Sequence, residues 1–452
     1  MKDLSTGSIP KHLISMSVPI AVGMFVQTLY YLVDLYFVAR LGDVALAGVS
    51  AAGNAMFVNI ALTQILGVGS VALIAQAVGR KERDDVNLIF NQSLLLAVVL
   101  GAVTLIGGYF LAEFYMRGVA ADLPTTAAGV TYLYWFTPCM ALQFAIVAMS
   151  SALRGTGIVK PTMVVQLLTV VINIILAPVL IAGWFTGLPM GIAGAGLASS
   201  IAALAGVVML WFYFRKFDNY IVFDRTQWRP RLGVWKKMLW LGVPVGGEFL
   251  LMFVYMASIY WAISDFGVAA QAGFGIGSRM MQALFLPAMA VAFAAPAIAG
   301  QNVGAGQFDR VRDTFRWATI VSVGIMLVLL VFCQLRPLWL ILPFTNDPDV
   351  VDVSKGFLTM ISWNFLFSGV VFVCSGMFQG LGNTWPAMLS TASRLITFVP
   401  PLIWLSYRDG FEIVHVWYLS VATVVLQCFL SLWLLRGEFQ RRLSGKLPSG
   451  VA

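Results

Sequence analysis

Residues 13–38 read LISMSVPIAVGMFVQTLYYLVDLYFV, an unbroken apolar run that contains one charged side chain, Asp34. A helix that crosses the hydrocarbon of a bilayer needs about 20 predominantly apolar residues, so this stretch is long enough to span one. Working outward, similar stretches follow at 47–78, 88–112, 128–153, 162–183, 191–214, 238–263, 269–299, 313–342, 355–378, 386–407 and 413–435. Short Gly, Pro or charged segments separate them. Across all 452 residues, 60% are apolar and only 11% charged, too little polarity to cover a water-soluble globule. The ten-residue apolar–polar alternation of an outer-membrane barrel is absent, and only closed barrels or helices satisfy their backbone in lipid. The predicted fold is therefore an all-α polytopic membrane protein with twelve transmembrane helices.

Basic residues fix the expected orientation, because short cytoplasmic loops retain positive charge during insertion. With the N-terminus inside, the inner loops and both termini hold 21 of the 28 Lys and Arg residues. Six remain for the outer side, and Arg394 lies within a span. The net charge of +8 thus reads as topology plus attraction to anionic lipid heads, not as nucleic-acid binding. Both termini are expected to be cytoplasmic, in a prokaryotic inner (plasma) membrane. The four cysteines all fall within predicted spans and give no disulfide pattern. Residues 1–12 lack an apolar core with a cleavage site, so the first span is expected to serve as an uncleaved insertion signal.

Sliding the chain along itself gives one productive offset, 225 residues. Val18-Pro19 then falls on Val243-Pro244, Gly42 on Gly267, Ala47-Gly48 on Ala272-Gly273, and Gln76 on Gln301. Far downstream, Gly155 and Gly157 still meet Gly380 and Gly382, and Pro161 and Met163 meet Pro386 and Met388. The reading is an N-terminal six-helix lobe at 1–214, a cytoplasmic linker at 215–237, and a C-terminal six-helix lobe with a short basic tail at 238–452. Six spans per half, an even number, give copies related by an axis along the membrane normal, the parallel-repeat plan of transporters.

An ionised side chain at the bilayer centre costs about 2.5 kcal/mol or more, so each one in a span requires a reason. Asp34 is the first candidate for a coupling site, as a carboxyl out of water able to load and release a proton; an acid near the outer end of its span, hydrogen-bonded for structure, is the alternative. Glu248 follows Pro244 by four residues, where the missing proline hydrogen bond loosens the helix. Its alternative is an interfacial acid answering Lys236 and Lys237. Arg394 is a candidate to neutralise Glu248, to attract an anionic group, or to serve structure alone. Met280, Met281, Phe285 and Met289 would give the eighth span an adaptable face for varied hydrophobic substrates, although ordinary bundle packing explains such residues more often.

Pro19 followed by Asp34, then Gln76-Ala-Val-Gly79, then Leu153-Arg-Gly-Thr-Gly157 ahead of Pro161, resembles the multidrug and toxin extrusion family. Gln301-Asn-Val-Gly304 and Gln379-Gly-Leu-Gly382 resemble its second-half equivalents, and the likeness runs over nearly the whole chain. The resemblance implies a V-shaped pair of six-helix bundles that export organic cations and other amphipathic toxins in exchange for protons or sodium. Carried over by motif, Asp34 looks like the family's first-helix cation or proton acceptor, with Tyr30 one turn before it. Asn173 looks like its fifth-span polar partner, and Ser199 stands where the sixth span usually has a hydroxyl. Ala177 departs from the pattern, which often has an Asp there. A hard cation prefers several oxygen ligands, so a sodium ion at Asp34 is weakened and proton coupling is preferred. Glu248 resembles an acid that some members place early in the seventh helix, but the tenth span has no acid to complete a second sodium site.

No Gly-x-x-x-x-Gly-Lys-Ser/Thr run occurs, so no nucleotide is expected to power the chain. With only His12 and His415, no catalytic or metal cluster is apparent, and an enzyme is not expected. The expectation is a secondary antiporter without a cofactor, driven by a proton or sodium gradient, working by alternating access of two lobes, with small amphipathic or cationic molecules and the lipid bilayer as its partners. No nucleic acid is expected to bind, and a monomer is expected. The alternative is a lipid-linked saccharide or phospholipid flippase, which would line its cleft with more basic residues than Arg394 and Arg279. A channel is a further class, in which Asp34 would matter little.

Overall fold

A computed structural model of the chain describes residues 1–120, 122–185, 187–217 and 220–442, with Tyr31 described in its backbone alone. Two residues of the expected linker, 218 and 219, and the end of the expected basic tail, 443–452, lie outside the described residues. The chain is all-α. In order run α1 (Ile9–Ala39), α2 (Asp43–Gly79), α3 (Arg83–Val119), α4 (Leu123–Gly155), α5 (Lys160–Ile181), α6 (Ile192–Lys216), α7 (Leu232–Ile263), α8 (Val268–Gly304), α9 (Phe308–Leu335), α10 (Pro337–Ile341), α11 (Pro348–Ile361), α12 (Asn364–Leu381), α13 (Trp385–Ser406) and α14 (Ile413–Arg442). Twelve of these helices are long and apolar enough to cross a membrane.

The repeat seen in the sequence has a physical basis at its glycines. Gly42 and Gly267 precede α2 and α8 at φ 104° and 88°, a backbone region closed to most side chains. Where α4 and α12 end, Gly155 and Gly380 allow close helix approach: an added Cβ would stand 2.8 Å from Ile74 in one half and 2.8 Å from Ala299 in the other. Ile74 and Ala299 are themselves 225 residues apart, so the same interhelical contact is made twice. All four cysteines are buried and free.

The chain divides into two compact units, though not at the linker. Unit 1 comprises Met1–Asp3 and Val22–Gly242; unit 2 comprises Leu4–Ala21 and Val243–Ala452. Each division falls beside a proline inside a helix, Pro19 in α1 and Pro244 in α7. The first part of α7 therefore packs within unit 1, where Gly242 lies so close to the backbone of Ile65 that any side chain there would collide with it. Small residues permit such backbone approach in membrane bundles. The first part of α1 belongs to unit 2, held by its lead-in segment: Leu4 N donates to Gln301 Oε1 (2.8 Å), and Arg310 donates to the carbonyls of Gly7 (3.0 Å) and Leu4 (3.3 Å). The described part of the 215–237 linker is held to α3 within unit 1. Fully buried Gln92 donates to the carbonyls of Gln227 (2.6 Å) and Arg229 (2.8 Å) and accepts from Arg231 N.

The ninth and tenth spans also differ from expectation. Pro337 has no N–H to continue α9 and opens the separate α10. Between α11 and α12, Trp363 N→Met360 O and Phe365 N→Ser362 O are i→i+3 bonds, so the tenth span tightens into a 3₁₀ turn. Gln334 of α9 supports this turn, donating to Thr359 O (2.7 Å) and Ser362 Oγ (2.9 Å).

Candidate functional site

In unit 1, α1 turns Asp34 away from the exposed Phe25, Leu29, Leu32 and Tyr36 and into the bundle, where it is 7% exposed. One turn earlier, Tyr30 donates its hydroxyl to Ser199 Oγ on α6 at 2.5 Å. Asn173, wholly buried on α5, reaches the same serine at 3.4 Å and the tyrosine hydroxyl at 3.5 Å. Ser199 also donates to Ala195 O (3.2 Å), which seats its hydroxyl against its own helix. The four positions selected in the sequence thus lie in one unit, and three are joined by hydrogen bonds.

Sequence reasoning missed Tyr132. This residue of α4 is 1% exposed, stacks on Phe136 with ring centroids 5.1 Å apart, and lies near the Asp34 carboxyl. Oδ1 of Asp34 and Oδ1 of Asn173 are buried acceptors without a hydrogen-bond partner. Among the described residues, Asp34 makes no ion pair, and no group of three or more His, Cys, Asp or Glu side chains suited to a metal is present. Ala177, one turn after Asn173, is fully buried and supplies no oxygen. Buried polar atoms are normally satisfied, so the unpartnered carboxyl oxygen of Asp34 and the unpartnered amide oxygen of Asn173 mark unit 1 as able to accept a proton or a small cation.

Unit 2 holds a second polar node. Tyr255 of α7 hydrogen-bonds Ser420 Oγ of α14 at 2.8 Å, and Asn364, the first residue of α12, donates to the same oxygen at 3.4 Å. The Arg394 guanidinium lies over the Tyr255 ring, 4.3 Å from its centroid. Glu248 is half-buried, with Oε1 shielded and unpartnered. Among the described residues neither Glu248 nor Arg394 forms an ion pair, so the expected neutralisation of one by the other, and the pairing of Glu248 with Lys236 or Lys237, are not made.

The suggested adaptable face on α8 is half-buried. Met280 and Met281 pack against the cluster around Phe274, Phe357 and Trp417, and Phe285 meets Phe365 and Phe372 edge to face at 5.2 and 5.4 Å. Bundle packing accounts for these three, while Met289 remains half-buried farther along the helix.

Comparison with known proteins agrees with this architecture. The family model described as MatE matches residues 19–179 and again 244–405, together more than half of the chain and once in each half. Probable multidrug resistance protein YoeA of Bacillus subtilis (strain 168) is 28% identical over 435 residues, covering 94% of this chain and 92% of that relative. Probable multidrug resistance protein NorM of Thermotoga maritima is 25% identical over 448 residues, covering 96% and 94%. The solved structure described as the outward-facing conformation of a multidrug resistance MATE family transporter superposes with a TM-score of 0.91 at 22% identity, covering 98% of each chain.

Proposed function

The chain belongs to the multidrug and toxin extrusion family of membrane efflux transporters, and from that premise we propose that it is an antiporter exchanging amphipathic or cationic small molecules for protons loaded at Asp34. As a member of that family it is a multi-pass transporter and not an enzyme. One observation carries the coupling assignment: Asp34, the one buried carboxyl among the described residues of unit 1, lies one helical turn after Tyr30, which is hydrogen-bonded with Ser199 and Asn173, and its Oδ1 is unpartnered.

A lone carboxyl can hold one proton without further ligands, whereas a hard cation prefers several oxygens, and Ala177 contributes none. Tyr30, Asn173 and Ser199 orient the cluster, and Tyr132 stabilises the carboxylate when the proton leaves. A charge moving down 100 mV yields about 2.3 kcal/mol, enough for roughly a fifty-fold substrate gradient, so one acid per cycle suffices. Alternating access of the two units would carry the exchange, and no cofactor takes part. Glu248 and Arg394 fall on the cargo side of this reading. The distribution of basic residues supports cytoplasmic termini, and on this reading the protein acts as a monomer in a prokaryotic plasma membrane. The relatives' names do not favour the flippase alternative.

The test is uptake of a fluorescent organic cation into inverted vesicles, with pH and sodium gradients imposed separately. Uptake that follows the pH gradient and fails in Asp34→Asn supports the proposal. Uptake driven by sodium alone, or undiminished in the variant, refutes it.

A further inference from the structure

Arg394 occupies the middle of α13, and its surroundings say which way it faces. Ser390, Ser393, Arg394 and Thr397 follow the i, i+3, i+4, i+7 spacing of one helix face. The opposite side carries Leu389, Ile396 and Ile403, which are 56%, 69% and 41% exposed, as expected of a face turned to lipid. Arg394 therefore points into unit 2, not out of it. The three hydroxyls on its stripe are engaged locally: Ser390 with Ser431 Oγ (2.6 Å), Ser393 with Ser390 O (2.7 Å) and Thr397 with Ser393 O (2.9 Å).

The guanidinium itself is fixed but unpaired. Its face lies on Tyr255, and that ring is held from two directions, by Ser420 through its hydroxyl and by Phe398 at a centroid distance of 4.6 Å. Its edge makes no hydrogen bond or ion pair with any described residue, and Nε is buried without a partner. The acid on the facing helix, Glu248, is seven residues before Tyr255, about 10 Å away along the axis at 1.5 Å per residue. Structural arginines in membrane interiors pair with acids or backbone carbonyls. This one uses only its π face, leaving free the planar donor edge that matches two oxygens of a carboxylate or phosphate.

We propose that Arg394 and Tyr255 form an oxyanion-binding fork in unit 2 that takes the carboxylate of an aromatic or amphipathic acid cargo. The chain would then export molecules that carry a negative group as well as cations, with the ring edge of Tyr255 lying beside the aromatic part of the ligand. The inference rests on the exporter reading only in calling the ligand a cargo; it does not depend on which ion drives transport.

The experiment is equilibrium binding of 1-naphthoate and of the same-shaped neutral 1-naphthamide to the purified full-length protein in nanodiscs of zwitterionic lipid. The wild type is expected to bind the carboxylate about ten-fold tighter than the amide, the effect of a charge-assisted hydrogen bond. The ratio falls to about one in Arg394→Gln. It is intermediate in Arg394→Lys, which keeps the charge without the planar fork and serves as the folded control if the Gln variant fails to purify. A wild-type ratio near one, or a ratio that survives Arg394→Gln, overturns the proposal. Loss of the carboxylate preference on adding phosphatidylglycerol would assign the fork to lipid phosphate and overturn the cargo assignment. Because no gradient is applied, failure of proton coupling at Asp34 leaves this result interpretable.

Discussion

Stepping 225 residues from Tyr30 leads to Tyr255, and both tyrosines hydrogen-bond a serine that an asparagine also reaches. Around that common node the two units part. Asp34 and Tyr132 of unit 1 correspond to Ile259 and Phe357 of unit 2, an apolar pair 3% and 2% exposed within one core cluster. Arg394 corresponds to Thr169, whose hydroxyl donates to Gln166 O at 2.8 Å. The repeat has kept the scaffold that aims side chains at the bundle interior and exchanged the chemistry hung on it. One unit holds a carboxyl with a phenol, the other a guanidinium on a ring. The acid and its tyrosine differ together, so they read as one device.

The asparagine shows how such a node is rebuilt from different places. Asn173 comes from α5, but its counterpart is Phe398, which packs on Tyr255 instead. Asn364 enters from α12 directly after the 3₁₀ turn, opposite Cys139 in unit 1. Duplication followed by local replacement preserves a tyrosine–serine–asparagine contact without preserving which helix supplies the amide.

The contrast can be broken by exchange. The largest effect is expected for Asp34→Asn, which removes the titrating group of the proposed coupling site and should lower pH-driven uptake at least about ten-fold, equal to 1.4 kcal/mol. Next, Ile259→Asp should place an ionisable group in an apolar core and reduce stability by roughly 3 kcal/mol or more, read as a lower melting temperature in detergent, without creating a second coupling site. Tyr132→Phe removes the phenol proposed to stabilise the Asp34 carboxylate, an interaction of about 0.6 kcal/mol in membrane bundles, so uptake should fall roughly threefold while the fold persists. The reverse change, Phe357→Tyr, should leave uptake at the wild-type rate.

The smallest effect lies outside the spans. Asp122 caps α4 by accepting from Thr125 N at 2.7 Å, and hydrogen bonds from Thr125 hold its carboxyl below the ordinary carboxylate range. A lowered folded-state value means that the stabilisation is full above the unfolded pKa of about 3.9 and disappears as pH falls through the folded value. Asp122→Ala should therefore slightly lower the melting temperature at neutral pH and make no difference in strong acid.

Twelve spans and the two-fold repeat were legible because lipid demands long apolar helices, and because glycines such as Gly42 and Gly267 answer backbone demands that recur. Asp34, Tyr30, Asn173 and Ser199 were legible through motif, and the structure brings them into one unit. Tyr132 was not, since a tyrosine in a span looks like any packed aromatic until the rotation of α4 toward Asp34 is known. The split of α1 and α7 was also hidden: Pro19 and Pro244 announce an irregular helix, but not which bundle each part joins. Ser362-Trp363 gave no signal either, as neither residue forces a 3₁₀ turn and Gln334, which supports it, is distant in sequence.

The exchange of half-helices bears on synthesis. A ribosome delivers residues in order, yet unit 1 lacks its last packing element until Gly242 has emerged, and Leu4–Ala21 must wait for partners beyond Val243. Contacts such as Leu4 with Gln301 close a loop of almost 300 residues, the kind of non-local pairing that folds slowly. A nascent chain halted at the linker would carry an unpartnered lead-in and an unfinished bundle, so maturation of the two halves is expected to be concerted, not sequential.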